Sequence, residues 1–416
     1  MQTYNSKYSH SKFKNTGTSM LKTLPLDGIT VVSLEHAIAA PFCTRQLAEQ
    51  GARVIKIERP DGGDFARHYD DRANGLSSHF VWVNRSKESL TLDIKSAEGK
   101  KVLFQILKKS DVLIQNLGPS STDRLGLSHE ALKDTFPTLI VCGISGYGRG
   151  GSYADKKAYD LLIQSESGFL SITGDPSHVG MAKAGCSIAD IAAGMYAYTN
   201  ILSALIQRHK TGVGCDIDIS MLEAMIEWMG YPLYYTFDGA SPPQRSGASH
   251  ASISPYGPYI ASDNKVIILG VQNKREWERF CVLVLRSPDL LTDKRFVSNA
   301  VRNKNKDSLN LIITDIFSTQ QSGELIKRLD QAQIANATIN QMSDVWEHQQ
   351  LKDRGRWISV ESSVGPIPAL LPPGVNDKDS CSILKIPALG EHSQRILSEL
   401  GYSISEIDSL KQKRVI

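Results

Sequence analysis

The chain has 416 residues, 41% of them hydrophobic, with 47 basic and 44 acidic side chains and a net charge of +3. That length exceeds what one compact domain needs, and the charge excess is too small for a binder of phosphate backbones; two domains, no nucleic acid and a small-molecule partner are expected. Six scattered cysteines (Cys43, Cys142, Cys186, Cys215, Cys281, Cys381) form no CxxC pair and no zinc spacing, and no apolar run reaches the roughly 18 to 20 residues of a bilayer span, so the expectation is a soluble cytoplasmic protein with reduced thiols, no metal and no membrane contact.

Met1 to Lys22 has no acidic residue, no arginine and no apolar periodicity, which predicts a disordered leader over residues 1–23. Ile29 to Leu34 is a short β-branched run. A turn with Pro41 leads into a helix from Phe42 to Gln50, Gly51 ends it, and Arg53 to Glu58 forms a second strand, giving a βαβ unit. A strand at Ser89 to Asp93, a helix from Ser96 to Lys109, a strand at Asp111 to Gln115 and a helix–strand pair ending at Leu139 to Ile144 continue the alternation. That order predicts an α/β fold with parallel strands and helical crossovers.

The longest helical pattern follows Ser187, with Ile188, Ile191, Met195, Tyr198, Ile201, Leu202, Leu205 and Ile206 at three- and four-residue steps, closed by Lys210-Thr211-Gly212. Cys215 to Ile219 alternates like a strand. From Gly239 the prolines of Ser241-Pro242-Pro243 and Pro255-Tyr256-Gly257-Pro258-Tyr259 break the pattern. The expected division is a large domain over 24–221, a linker over 222–246, a small α/β domain over 247–345, and a linker with a C-terminal return to the large domain over 346–416. Within these, Val266 to Val271 reads as a strand, Lys274 to Leu285, Ser308 to Ser318 and Ser393 to Leu400 as helices, and Pro366 to Gly374 as loop.

The most informative stretch is Ala184 to Gly194, which brings Asp190 to the start of the long helix. Two readings compete there. A carboxylate in the first turn, favoured by the helix dipole and with a pKa near ~4, is already ionised and can act as a covalent nucleophile. Alternatively, Ser187-Ile188-Ala189-Asp190 is a capping box worth about 1 kcal/mol, and spacing alone favours that. Gly185 and Gly194 flank the residue, where close approach of a ligand or of another helix would exclude a Cβ.

Several motifs in order bear on the choice: Ala39-Ala40-Pro41, Gly51 to Pro60 with Gly62-Gly63-Asp64, Asn116-Leu117-Gly118-Pro119, Asp123-Arg124-Leu125-Gly126, Gly143 to Gly148, the Asp190 segment, and Arg208 to Gly212. Together they resemble the class III CoA-transferases of the CaiB/BaiF type, from about Leu24 to the C-terminus. The resemblance implies a Rossmann-like large domain and a smaller α/β domain, with each chain an open ring threaded through its partner in a homodimer. It implies CoA or acyl-CoA as substrate and no tightly bound cofactor. It puts the nucleophile on Asp190, through an aspartyl mixed anhydride and then an aspartyl-CoA thioester.

By the same resemblance, Ala37, Ile38 and Ala39 face the adenine and pantetheine, Arg59, Arg124 and Lys157 meet phosphates, Asn116 and Leu117 form the wall, and Tyr159 and Asp160 line the pocket. Each cation could instead be a solvated surface charge, Ile38 could be core, and Lys156 could replace Lys157. The glycine run of the formyl-CoA members is missing; Arg245 to Tyr259 is instead similar to members acting on C4 to C6 dicarboxylates such as itaconate, mesaconate, succinate and glutarate, which disfavours oxalate and formate. A second carboxylate needs a cation or donor, for which Arg245 and His250 are candidates, with Arg67 and Arg72 behind them.

The racemase branch of the same superfamily needs a Gly-His-Asp stretch, and Ala158-Tyr159-Asp160 stands in its place; a phenol with pKa near ~10 is a poor substitute for imidazole. A nicotinamide dehydrogenase is disfavoured because Glu35 to Ala40 contains no GxGxxG. A non-catalytic CoA-binding paralogue is the remaining alternative, and Asp190 argues against it.

Overall fold

The computed structural model describes residues 23–177 and 179–416; all of the expected leader but its last residue lies outside them. Its centre is a parallel sheet of β1 (Thr30–Leu34), β2 (Arg53–Glu58), β3 (Lys87–Thr91), β4 (Val112–Gln115), β5 (Ile140–Ser145) and β6 (Asp216–Ser220). The spatial order is β3-β2-β1-β4-β5-β6, with every neighbouring pair parallel. This is the doubly wound order of Rossmann folds. The strand order reverses between β1 and β4, where such sheets open a crevice at their C-terminal ends.

Helices cover both faces: α1 (Ala39–Glu49), α2 (Ser78–Asn84), α3 (Ala97–Leu107), α4 (Pro119–Leu125), α5 (His129–Leu132), α6 (Asp160–Glu166), α7 (Phe169–Ile172), α8 (Ile188–Thr211) and α9 (Met221–Trp228). Alternate side chains of one strand serve opposite cores. Val31, Val112 and Ile114 pack with α1, α8 and α9, whereas Val32, Leu113 and Val141 pack with α3. The same second core takes Ile396, Leu397, Ile407 and Leu410, so the last residues of the chain lie against the large sheet.

The 24-residue α8 is about 36 Å long. Gly212 ends it in the left-handed conformation, and Arg208 Nη2 donates to Asp111 Oδ1 at 2.8 Å, tying its end to the start of β4. It crosses α1 closely. A Cβ on Gly194 would lie 2.6 Å from the Ala39 carbonyl oxygen, so helix packing explains that glycine.

Residues 222–246, expected as a linker, begin as helix. α9 packs on α8, and α10 (Gly230–Tyr235) follows it. A smaller antiparallel sheet of β7 (Tyr256–Ile260), β8 (Val266–Gly270) and β9 (Ala335–Thr338) carries α11 (Lys274–Arg279), α12 (Asn299–Lys304), α13 (Lys306–Phe317) and α14 (Ser322–Gln331) around its own core. Beyond α15 (Met342–Trp346) and α16 (Gln349–Asp353), a hairpin of β10 (Trp357–Val360) and β11 (Ile367–Leu370) runs through the stretch expected to be loop. Pro368 is accommodated there because a two-stranded hairpin has only edges. Helices α17 (Ser393–Glu399) and α18 (Ile404–Gln412) close the chain. Among the described residues no helix is long and apolar enough to cross a membrane.

Candidate active site

A cleft of about 1240 Å³ opens at the β1/β4 switch point. It is built from the β1–α1 loop, the β4–α4 loop, the segment leading into α6, and the first turn of α8. Asp190 lines it, as do Ala37, Ile38, Ala39, Asn116, Leu117, Arg124, Lys157, Tyr159 and Asp160. Arg59, Arg245 and His250 do not line it, nor do Arg67 and Arg72.

The start of α8 departs from the expected cap. Ser187 makes no side-chain cap bond. The orphan N–H groups of Ala189 and Asp190 donate to Asp160 Oδ1, at 2.7 and 3.3 Å, and Gln164 Nε2 donates to Asp160 Oδ2 at 2.5 Å. With Asp160 occupying the donors, the Asp190 carboxylate has no such compensation. Enclosure by protein, and then the neighbouring charge of Asp160, raise its pKa to about 7, well above the free-carboxylate value assumed from sequence. The capping role falls to Asp160, which leaves Asp190 available for chemistry.

The opposite situation underlies the β1–α1 loop. Lys87 Nζ donates to Glu35 Oε1 at 2.6 Å, Lys56 Nζ to Asp64 Oδ2 at 2.7 Å, and Thr44 Oγ1 to Glu35 Oε2 at 2.6 Å, all fully buried. Asp64 Oδ1 also accepts the N–H of Ala37, which holds φ of 59°, an unfavourable value for a residue with a Cβ. Asn116 locks the same loop from the other side, accepting from His36 N at 3.0 Å and donating to His36 O at 2.8 Å. Asn116 therefore shapes the wall by fixing backbone. Neither the Glu35 network nor this lock was read from sequence; the available signal was Lys56, a charge set between Ile55 and Ile57 in β2.

Cations sit along the cleft. Arg124 Nη2 donates to Ser121 Oγ at 2.9 Å, its only side-chain bond among the described residues. Lys156 is engaged by Glu166 and lies 4.2 Å from the Tyr153 ring centre, whereas Lys157 has no protein partner among the described residues. Tyr159 is 70% exposed. Arg59 turns to the Gly63 carbonyl at 3.2 Å, Arg245 to the Asp175 and Ser177 carbonyls at 3.0 and 2.7 Å, and His250 stacks on Tyr256 while its Nδ1 accepts from Ser252 and Ile253.

The model of CoA-transferase family III matches residues 26–393. The chain belongs to that family. It is 32% identical to a succinate–glutarate CoA-transferase of Agrobacterium fabrum, over 90% of this chain and 96% of the relative. It is 34% identical to an acetyl-CoA:oxalate CoA-transferase of Acetobacter aceti, over 79% and 83%. A crystal structure of a CaiB/BaiF family protein from Brucella suis superposes with a TM-score of 0.80 at 32% identity, covering 91% of this chain and all of that one. These relatives carry acceptors of different length at comparable identity, so overall similarity does not choose among acids.

Proposed function

We propose that this family III member transfers CoA from an acyl-CoA, succinyl-CoA foremost, to a C4 to C6 dicarboxylate such as glutarate, itaconate or mesaconate, through Asp190. The observation that carries the reading is an uncompensated carboxylate at the floor of a cation-lined cleft at the switch point of the sheet. The ionised Asp190 attacks the thioester carbonyl and expels the CoA thiolate, giving a mixed anhydride. The thiolate then attacks the aspartyl carbonyl, releasing the donor acid and leaving an aspartyl-CoA thioester. The acceptor carboxylate attacks that thioester, and the thiolate returns to the acceptor's acyl carbon, regenerating Asp190.

Each step exchanges one acyl oxygen or sulfur for another, so no external oxidant or reductant is needed. Arg124 and Lys157 serve the CoA phosphates, and the fixed β1–α1 loop receives the adenine and pantetheine. The glutarate relative supports the acceptor class. An interlocked homodimer is part of this reading. It agrees with the exposure of Tyr234 and Phe237, at 77% and 84%, after α9, and light scattering would measure it.

The test is mass spectrometry of purified protein with succinyl-CoA and a panel of glutarate, malate, itaconate, mesaconate and citramalate, with hydroxylamine trapping during turnover. The expected result is a new acyl-CoA and a hydroxamate on Asp190. Modification of a different residue would overturn the nucleophile, and turnover without any adduct would remove the covalent route.

A further inference from the structure

The cleft contains a polar cluster that CoA transfer through Asp190 leaves unused. Ser78 and His79, at the start of α2, line it together with Tyr69. Asp70 organises them. Its Oδ1 accepts from the backbone N–H of Ser78 at 2.8 Å and of Arg72 at 3.0 Å, while its Oδ2 accepts from Ser78 Oγ at 2.7 Å and faces His79 Nδ1 at 3.1 Å. The Tyr69 ring stands perpendicular to the imidazole with centres 5.2 Å apart. The ring is thus fixed on two sides, and Nε2 has no protein partner among the described residues.

The cluster resembles a hydrolytic triad only in composition. Ser78 Oγ donates to Asp70 and stands 3.5 Å from the same ring nitrogen that faces Asp70, so no base activates it. What the arrangement does offer is an oriented ring: with Asp70 facing Nδ1, a doubly protonated imidazole presents Nε2–H on the side away from Asp70, suited to a carboxylate. Four other basic groups are less suited. His36 is half-buried, with its ring tilted against Phe65 at 4.8 Å between centres, and partial burial lowers its pKa. Arg245 and His250 are engaged outside the cleft, and Arg67 is bonded to Glu58. The cluster shares its cleft with the reacting end, since Tyr69, His79 and Asp190 all line it.

We infer that His79, oriented by Asp70, holds the second carboxylate of the dicarboxylate whose other end reacts at Asp190. This deepens the proposed function and rests on it. Succinyl-CoA carries the same distal carboxylate, so His79 serves donor and acceptor alike.

The experiment compares wild type, His79→Leu and Asp70→Asn in steady-state transfer to glutarate and to butyrate, with free CoA affinity measured by calorimetry. Losing one charge-assisted contact predicts that His79→Leu raises KM for glutarate and succinyl-CoA about tenfold to a hundredfold. KM for butyrate and the Kd of free CoA should change less than about twofold, near the limit of such measurements. Asp70→Asn keeps the imidazole and should show the same selectivity loss in smaller measure, which separates lost orientation from a misfolded cleft. Equal losses on glutarate and butyrate, or a shift in CoA affinity, would overturn the inference. So would unchanged kinetics in both variants of an active enzyme. A wild-type protein that binds CoA but uses no dicarboxylate would overturn the proposed acceptor class itself.

Discussion

Two carboxylate clusters lie within the same cleft region and are treated in opposite ways. Under the β1–α1 loop, Glu35 and Asp64 are as buried as side chains can be, yet opposing charges outweigh the burial that would raise them, and both carboxyls are held below their usual range. The two lysines divide accordingly. Asp64 helps hold Lys56 above its ordinary value, while burial brings Lys87 down to about 8. At the start of α8, Asp190 faces another carboxylate and, among the described residues, no cation that lowers it, and rises to about 7. Burial has the same sign in both places; the partners decide the outcome. The compensated cluster holds a strained loop, and the uncompensated one leaves an acid whose ionised form is disfavoured.

The sharpest way to break this contrast is to remove each centre. Asp190→Ala should reduce transfer at least ~10⁴-fold with the fold retained, measured by turnover and circular dichroism. Lys56→Met strands Asp64 and should cost about 3 to 5 kcal/mol of stability in urea unfolding, because one partner of a buried pair is left uncompensated.

Asp190→Asn should act in the reverse direction on stability. The folded pKa is raised, so the contribution of Asp190 is fully present below about pH 4 and is lost as pH rises through about 7. The neutral amide does not suffer that loss. At pH 8 the variant should therefore be more stable than wild type by ~2 kcal/mol, allowing for the side the carboxylate shows to the cleft, with the difference vanishing near pH ~4. Arg124→Ala and Lys157→Ala should each raise KM for acyl-CoA about three- to tenfold with kcat nearly unchanged. Least in size, Asp160→Asn retains an oxygen to cap α8 but loses the charge, so the acidic limb of the kcat/KM profile should move to lower pH.

The strands were legible because parallel strands buried on both faces leave continuous β-branched runs, and Arg53 to Glu58 matches β2 residue for residue. The long helix was legible from its three- and four-residue steps and from Gly212. Harder to read were α14 and α18, which lie on the surface and bury only one stripe each, and β11, whose Pro368 argues locally against a strand. In the site, the motif residues around Asp190, Arg124 and Lys157 reached the cleft, whereas Arg59, Arg245 and His250 turned to carbonyls or neighbouring loop atoms of their own surroundings. Asp70 and His79 carry no spacing signal, since their meaning lies in a loop that folds Ser78 and Arg72 onto one carboxylate.

Pattern along the chain was sufficient for the α/β class, the family resemblance and the position of Asp190 at a helix start, because periodicity and motif order are local properties. Which carboxylate caps that helix, which cation is free to meet a ligand, and how far each acid is shifted depended on groups tens of residues apart, such as Asp160 with Asp190 and Glu35 with Lys87. Desolvation and Coulomb energy act through space, so only the folded arrangement fixes them.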